Sequence, residues 1–187
     1  MVTVEEAARA LQGVLRIALF DRAGASSFGR DPRSCARSFW AYAIALPATL
    51  LLLSLDVLAT KPDQPELLAA ARLVSDVIQA AGFPLLLLPL LGWFGRGQRW
   101  AWFVTAYNWY SMAQTITLAT LICVVSDLPG ADFRFAVIRA AQIYVIVLEA
   151  FLADAVLDIG AWRAAIVVML DWGFGLGVDR LADWIAL

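Results

Sequence analysis

The stretch Phe133–Ile159, FRFAVIRAAQIYVIVLEAFLADAVLDI, decides the fold. It is apolar enough to cross a bilayer, yet it contains Arg139, Gln142, Glu149 and Asp154. An α-helix turns about 100° per residue, so Arg139, Gln142, Ile146, Glu149 and Ala153 fall within about 80° of one another. A charge at bilayer depth costs at least about 3 kcal/mol, so a lipid-facing helix would not carry that stripe. The stripe is expected to look inward, onto partner side chains or trapped water. One helix cannot shield its own polar face, so other spans must surround it.

Composition supplies them. The chain has 187 residues, of which 62% are hydrophobic and 16% charged, with a mean hydropathy of +0.76. A soluble domain carries about 25% charge and under about 50% apolar residues. The apolar excess lies in long runs, which indicates membrane spans. The expected fold is all-α, a polytopic transmembrane helical bundle of about five spans: 39–59, 66–93, 101–125, 133–159 and 161–187. Pro47 should kink the first span mildly, and Pro84 with Pro89 predict a break or bend in the second. In the last span Gly173 and Gly177 form GxxxG, which permits close helix approach, while Gly175 reads equally as a flexible point.

Residues 1–38 precede the spans. Thr3–Phe20 is expected to form an amphipathic helix, because Val4, Ala8, Leu11, Leu15 and Leu19 recur at helical spacing. Thr3 with Glu6 makes a capping box, and Glu5 with Arg9 an i,i+4 pair. The helix either lies in the headgroup plane or packs under the bundle. Glu5, Glu6, Arg9 and Arg16 interrupt any continuous apolar core, so no cleavable signal peptide is expected. The connector Asp21–Ser38 places Arg22, Arg30, Arg33 and Arg37 beside the first span. They either bind anionic lipid headgroups or only control topology.

Basic residues set the orientation. Six arginines precede the first span, Arg96 and Arg99 follow the second, and Arg163 opens the fifth, against Lys61 and Arg134 at the opposite ends. Nine against two puts the N-terminus in the cytoplasm and, after five spans, the C-terminus outside, in the periplasm of a bacterial inner membrane. Trp40, Trp93, Trp100, Trp102 and Trp162 fall at the same boundary, as an aromatic belt would.

The same residues exclude several chemistries. The chain has no His, which removes haem, most zinc and copper sites, and the commonest general base. There is no GxSxG, HExxH, GxGD or phosphate-loop motif. The net charge of −2 gives no reason to expect nucleic-acid binding. Cys35 and Cys123 have no CxxC spacing and are expected to be free. No catalytic residue, metal or cofactor is expected.

Depth within each span sorts the polar residues into two layers. Asp56, Arg72, Asp76, Arg139, Asp179 and Arg180 fall on the outer side, where buried charges should pair. Ion pairs are expected among Arg72, Asp76, Arg139 and Asp179. Asn108, Glu149 and Asp171 fall on the inner side with no base within a turn. They form the candidate intramembrane polar site, either a proton or cation site or a neutral hydrogen-bonded lock for the bundle. Asp154 and Asp158 most simply mark the cytoplasmic interface. Span three adds Tyr107, Tyr110, Ser111, Gln114, Thr115 and Thr117, which serve as helix–helix hydrogen bonds or line a solute path.

The stretch FDRAGASSF, the RSFW that follows and the YNW of span three resemble five-span inner-membrane proteins of proteobacteria, distantly similar to the Yip1 superfamily. That resemblance implies five spans and a cytoplasmic N-terminus. The DLYGP-type motif of eukaryotic members is absent, so no trafficking role is carried over. Two functions are compatible with the residues. The first is a non-catalytic membrane protein acting through lipids, a membrane-protein partner or its own homo-oligomer. The second is a proton- or cation-coupled small-solute transporter using Glu149 and Asp171.

Overall fold

A computed structural model describes residues 2–186. It contains α1 (Val4–Ala18), a 3-10 turn (Arg22–Ser27), α2 (Pro32–Ser38), and five long helices: α3 (Trp40–Thr60), α4 (Pro65–Trp93), α5 (Trp100–Ser126), α6 (Ala131–Leu157) and α7 (Ala161–Ala186). All five long helices are long and apolar enough to span a membrane. The chain is an all-helical, multi-pass integral membrane protein.

The five spans form a ring. α3 packs on α5, α5 on α6, α6 on α7 and α7 on α4, while α4 closes only sparsely, onto both α5 and α3. The expected break in α4 is absent, and the helix runs unbroken through Pro84 and Pro89. Pro84 has no N–H to offer the Ala80 carbonyl and Pro89 none for Leu85. One turn of the wall is secured from outside the helix, by the Trp100 indole donating to the Pro84 carbonyl at 2.7 Å.

Length explains where the N-terminal segment sits. At 1.5 Å per residue α3 is about 31 Å long and α5 about 40 Å, against a hydrocarbon core of about 30 Å. Ser38, the last residue of α2, and Tyr42, at the start of α3, both bond Asn108, two turns into α5. The overhang of α5, about 12 Å from Trp100 to Asn108, therefore lies wholly at the end where the N-terminus is. We call this the near end. The N-terminal segment wraps the overhang. The Trp102 indole donates to the Ala25 carbonyl at 3.0 Å, and Arg22 pairs with Asp154 of α6 at 2.7 Å.

Helix α1 has two apolar faces. Ala10, Gly13, Val14 and Ile17 are buried against the 3-10 turn and α5. The periodic stripe noted in the sequence is the other face, with Val4 88%, Leu15 66% and Leu19 81% exposed. Thr3 caps the helix by accepting from the Glu6 N–H at 3.1 Å. The Glu6 carboxylate does not reach back to close the box; it pairs with Arg37 at 2.8 Å.

Asp31 caps α2, accepting from the Ser34 hydroxyl at 2.7 Å and from the backbone N–H groups of Arg33 and Ser34. The Ser34 side-chain and backbone hydrogen bonds, then that of Arg33, hold its carboxyl below the ordinary value of 3.8. A lowered folded-state value means the carboxylate supports the fold above about pH 4, and that support is lost as pH falls through the folded-state value. Asp31→Ala is expected to speed proteolysis between α1 and α3 at pH 7. The difference from wild type should fade as the pH falls into the acid range, and a difference that does not shrink at all with falling pH would count against the cap.

Candidate functional site

The ring encloses a cavity of about 770 Å³, lined by all five spans. Its lining runs from Asp56, Arg72, Asp76 and Asp179, towards the far end, to Tyr107, Glu149 and Asp171 in the interior. Accessibility falls along that path. The Asp179 side chain is 40% exposed, whereas Glu149 is only 2% exposed.

The floor is built around two carboxyls. Glu149 lies on the buried face of α6 with Leu148, Leu152 and Ala153. Its Oε2 accepts from the Trp172 indole of α7 at 3.0 Å. Asp171, one residue before that Trp, accepts from the Tyr107 hydroxyl of α5 at 2.8 Å. The two carboxyl groups are within hydrogen-bonding reach of each other. Two carboxylates that close repel unless they share a proton. The second oxygen of Glu149, Oε1, is buried and has no protein donor. The Tyr107 ring is wedged against Phe83 at 4.8 Å and Phe103 at 5.9 Å, which fixes the direction of its hydroxyl.

Asn108, expected to join Glu149 and Asp171, is not in the cavity wall and instead ties α5 to the start of the first span, behind Tyr42. It is fully buried, donates to Ser38 at 2.9 Å and accepts from Tyr42 at 3.2 Å. Adjacent residues on a helix point about 100° apart. Tyr107 therefore turns to α7 while Asn108 turns to the α2–α3 junction. The polar residues of span three divide the same way. Tyr110 ties α5 to α6 by donating to the Val145 carbonyl at 2.7 Å, whereas Ser111, Gln114 and Thr115 line the cavity.

At the outer level Arg72 meets Asp179 at 3.3 Å and Asp183 at 2.8 Å, and Gln79 donates to Asp179 at 3.0 Å. Asp76 lines the cavity without an ion pair among the described residues. Arg139 does not join this group. It is exposed, stacks on Phe135 at 4.9 Å and donates to Gln142 at 3.1 Å. Helical side chains lean toward the N-terminus, which carries the Arg139 guanidinium back toward the far surface. The polar stripe of α6 thus faces the interior only over its near half, from Glu149 to Ala153. Arg72→Gln is expected to cost about 1–2 kcal/mol, between an exposed and a buried ion pair. Thermal melts in detergent would check this, and an unchanged melt would remove the pair from the account of α4–α7 packing.

Comparison with protein-family models, with curated proteins and with solved structures finds no match to this chain.

The arginines of the connector are largely engaged within the protein. Arg22 holds Asp154, Arg37 holds Glu6, and Arg30 lies 4.1 Å over the Trp102 ring. Arg33 is exposed and has no ion pair among the described residues. Asp154 and Asp158 do more than mark a boundary. Asp154 also accepts from the Gly160 N–H at 2.8 Å, and Asp158 holds Arg96 at 3.2 Å and Arg99 at 3.7 Å. These contacts clamp the near-end turns together. Gly173 and Gly177 meet no neighbour, and the close approach of α4 to α7 is at Gly82 under Phe174 and Gly175 under Gln79.

The sequence reading omitted Trp172 and Tyr42 from the site. Trp172 carried a signal: it sits mid-span, away from the interfaces where Trp collects. Tyr42 carried none, because it follows a span start where aromatics are common.

Proposed function

We propose that this chain is a non-catalytic inner-membrane protein that carries a small solute with exchange of a proton at Glu149 and Asp171. The observation that carries the reading is the graded cavity, which ends at the buried Glu149 and the half-buried Asp171. A site that exchanges a proton against a solute needs a titrating group accessible from one side at a time. The Ser38–Asn108–Tyr42 hydrogen bonds join α5 to the start of the first span at the near end, and on this reading they part when the site opens to that side. The excess of basic residues at the near end, and the Yip1-like resemblance, support a cytoplasmic near end and a periplasmic far end. A five-span chain holds no 3+3 inverted repeat, which favours a homo-oligomer as the working unit.

Proteoliposomes with an entrapped pH dye test this. An imposed pH gradient, with valinomycin and potassium to carry the balancing charge, is expected to drive uncoupled proton slip through wild type and not through Glu149→Gln. Equal flux through both would sink the reading.

A second reading has its own support. The exposed Val4, Leu11, Leu15 and Leu19 stripe is costly in water and suits the acyl–headgroup boundary, so the protein acts on or through membrane lipids. A spin label at position 15 is expected to be relaxed by oxygen more than by a water-soluble nickel reagent. The reverse order would place the stripe in water or against a protein.

A further inference from the structure

We infer that the cavity takes a small organic cation, an alkylammonium headgroup whose charge seats at Glu149 and Asp171. This rests on the carrier reading and names its substrate class. Three observations on the lining carry it.

The first is charge. The only base lining the cavity among the described residues is Arg72, and Asp179 and Asp183 already hold it. Asp56, Asp76, Glu149 and Asp171 remain without an ion pair among the described residues. The second is the orphan acceptor. Oε1 of Glu149 is buried at the cavity floor without a donor. Apart from a proton shared with Asp171 nothing in the protein offsets its charge, so once that proton leaves, the two carboxylates repel each other until a cation arrives. The third is the wall. Tyr42 and Trp172 line the cavity while their polar tips are engaged elsewhere, the hydroxyl by Asn108 and the indole N–H by Glu149. Ring surface left over in an acidic cavity attracts ammonium groups through the ring quadrupole.

Size and donor geometry separate this from a bare metal ion. Calcium or a similar ion needs several oxygens converging at about 2.5 Å. Among the described residues no three His, Cys, Asp or Glu side chains are grouped to do so. A cavity of about 770 Å³ instead lies within the range of about 300–1,000 Å³ usual for organic ligands.

The test is equilibrium binding of radiolabelled choline to the full chain in lipid nanodiscs. Its uncharged isostere 3,3-dimethylbutanol, sodium and potassium serve as competitors. Choline is expected to bind, Glu149→Gln to weaken it at least tenfold, and Asp76→Asn, at the rim, about threefold. The alcohol and the alkali cations should not compete. Competition by the alcohol as strong as by unlabelled choline would overturn the inference, because charge would then play no part. No choline binding, with Glu149-dependent proton flux intact in proteoliposomes, would also overturn it and leave the carrier reading standing. Loss of both would remove the two together. Should Glu149→Gln fail to fold, Asp171→Asn and Trp172→Leu are expected to lower choline affinity while eluting and melting as folded protein. Unchanged affinity in both would overturn the proposal.

Discussion

Glu149→Gln is expected to fold and melt like wild type, while Glu149→Leu is expected to lose about 1–3 kcal/mol of stability. The contrast follows from what each side chain returns to its neighbours. Glutamine keeps an oxygen for the Trp172 indole, which donates to Oε2 at 3.0 Å. Its amide then points a donor toward Asp171, the group that Glu149 faces. In this geometry the amide imitates a carboxyl that holds the shared proton. Leucine has nearly the same volume and buries as well, but it leaves the indole N–H unbonded and Asp171 with only the Tyr107 hydroxyl at 2.8 Å. The penalty is therefore polar rather than steric. Thermal unfolding in one detergent, for both variants and wild type, checks it. Equal losses for Gln and Leu would mean that the proton is not shared in the ground state. No loss for either would mean that the Glu149 hydrogen bonds do not stabilise the bundle, which removes the structural explanation for burying an acid there. A polar residue kept at no gain in stability points more strongly to a working site.

That acid was readable in the sequence because helical geometry and bilayer cost are both local rules. Glu149 had to face inward once its span was recognised, and the same holds for Arg72 and Asp179, which meet across α4 and α7. The order of helices around the ring was not readable. Which span neighbours which depends on side-chain fit along whole faces, and nothing within α3 says that it touches α5 closely and α4 hardly at all. This is why Asn108, expected beside Glu149 from its depth, turns instead to Ser38 and Tyr42. Depth along a span follows from counting residues, but direction around the axis needs the neighbours' positions. Arg139 failed for a related reason. Its depth was estimated from the middle of its span, yet a long side chain moves its charge several ångströms toward the surface.

The N-terminal segment shows how much a small residue can decide without any sequence signature. Gly24 and Gly13 let the 3-10 turn lie directly on α1. A β-carbon added at Gly24 would sit 2.6 Å from the Gly13 carbonyl oxygen, 2.9 Å from the Arg16 β-carbon and 3.1 Å from the Ile17 nitrogen. Two of the three are backbone atoms of a regular helix, which cannot shift alone. Gly24 is not among the glycines with positive φ, so alanine there meets no backbone strain and tests the contact by itself. Gly24→Ala is therefore expected to lift α1 off the turn, at a cost of about 1–3 kcal/mol for overpacking. The consequences reach further than one contact. The turn carries Ala25, which receives the Trp102 indole, and Arg22, which holds Asp154. Amide exchange read by mass spectrometry should quicken at least tenfold across α1 and the turn, while the cores of α5 and α7 keep wild-type protection. Unchanged exchange over α1 would show that the exposed leucines, not the glycine contact, hold the helix in place. Faster exchange throughout the spans would show instead that the N-terminal segment is needed for the ring itself, because it then clamps α5 and α6 rather than resting on them.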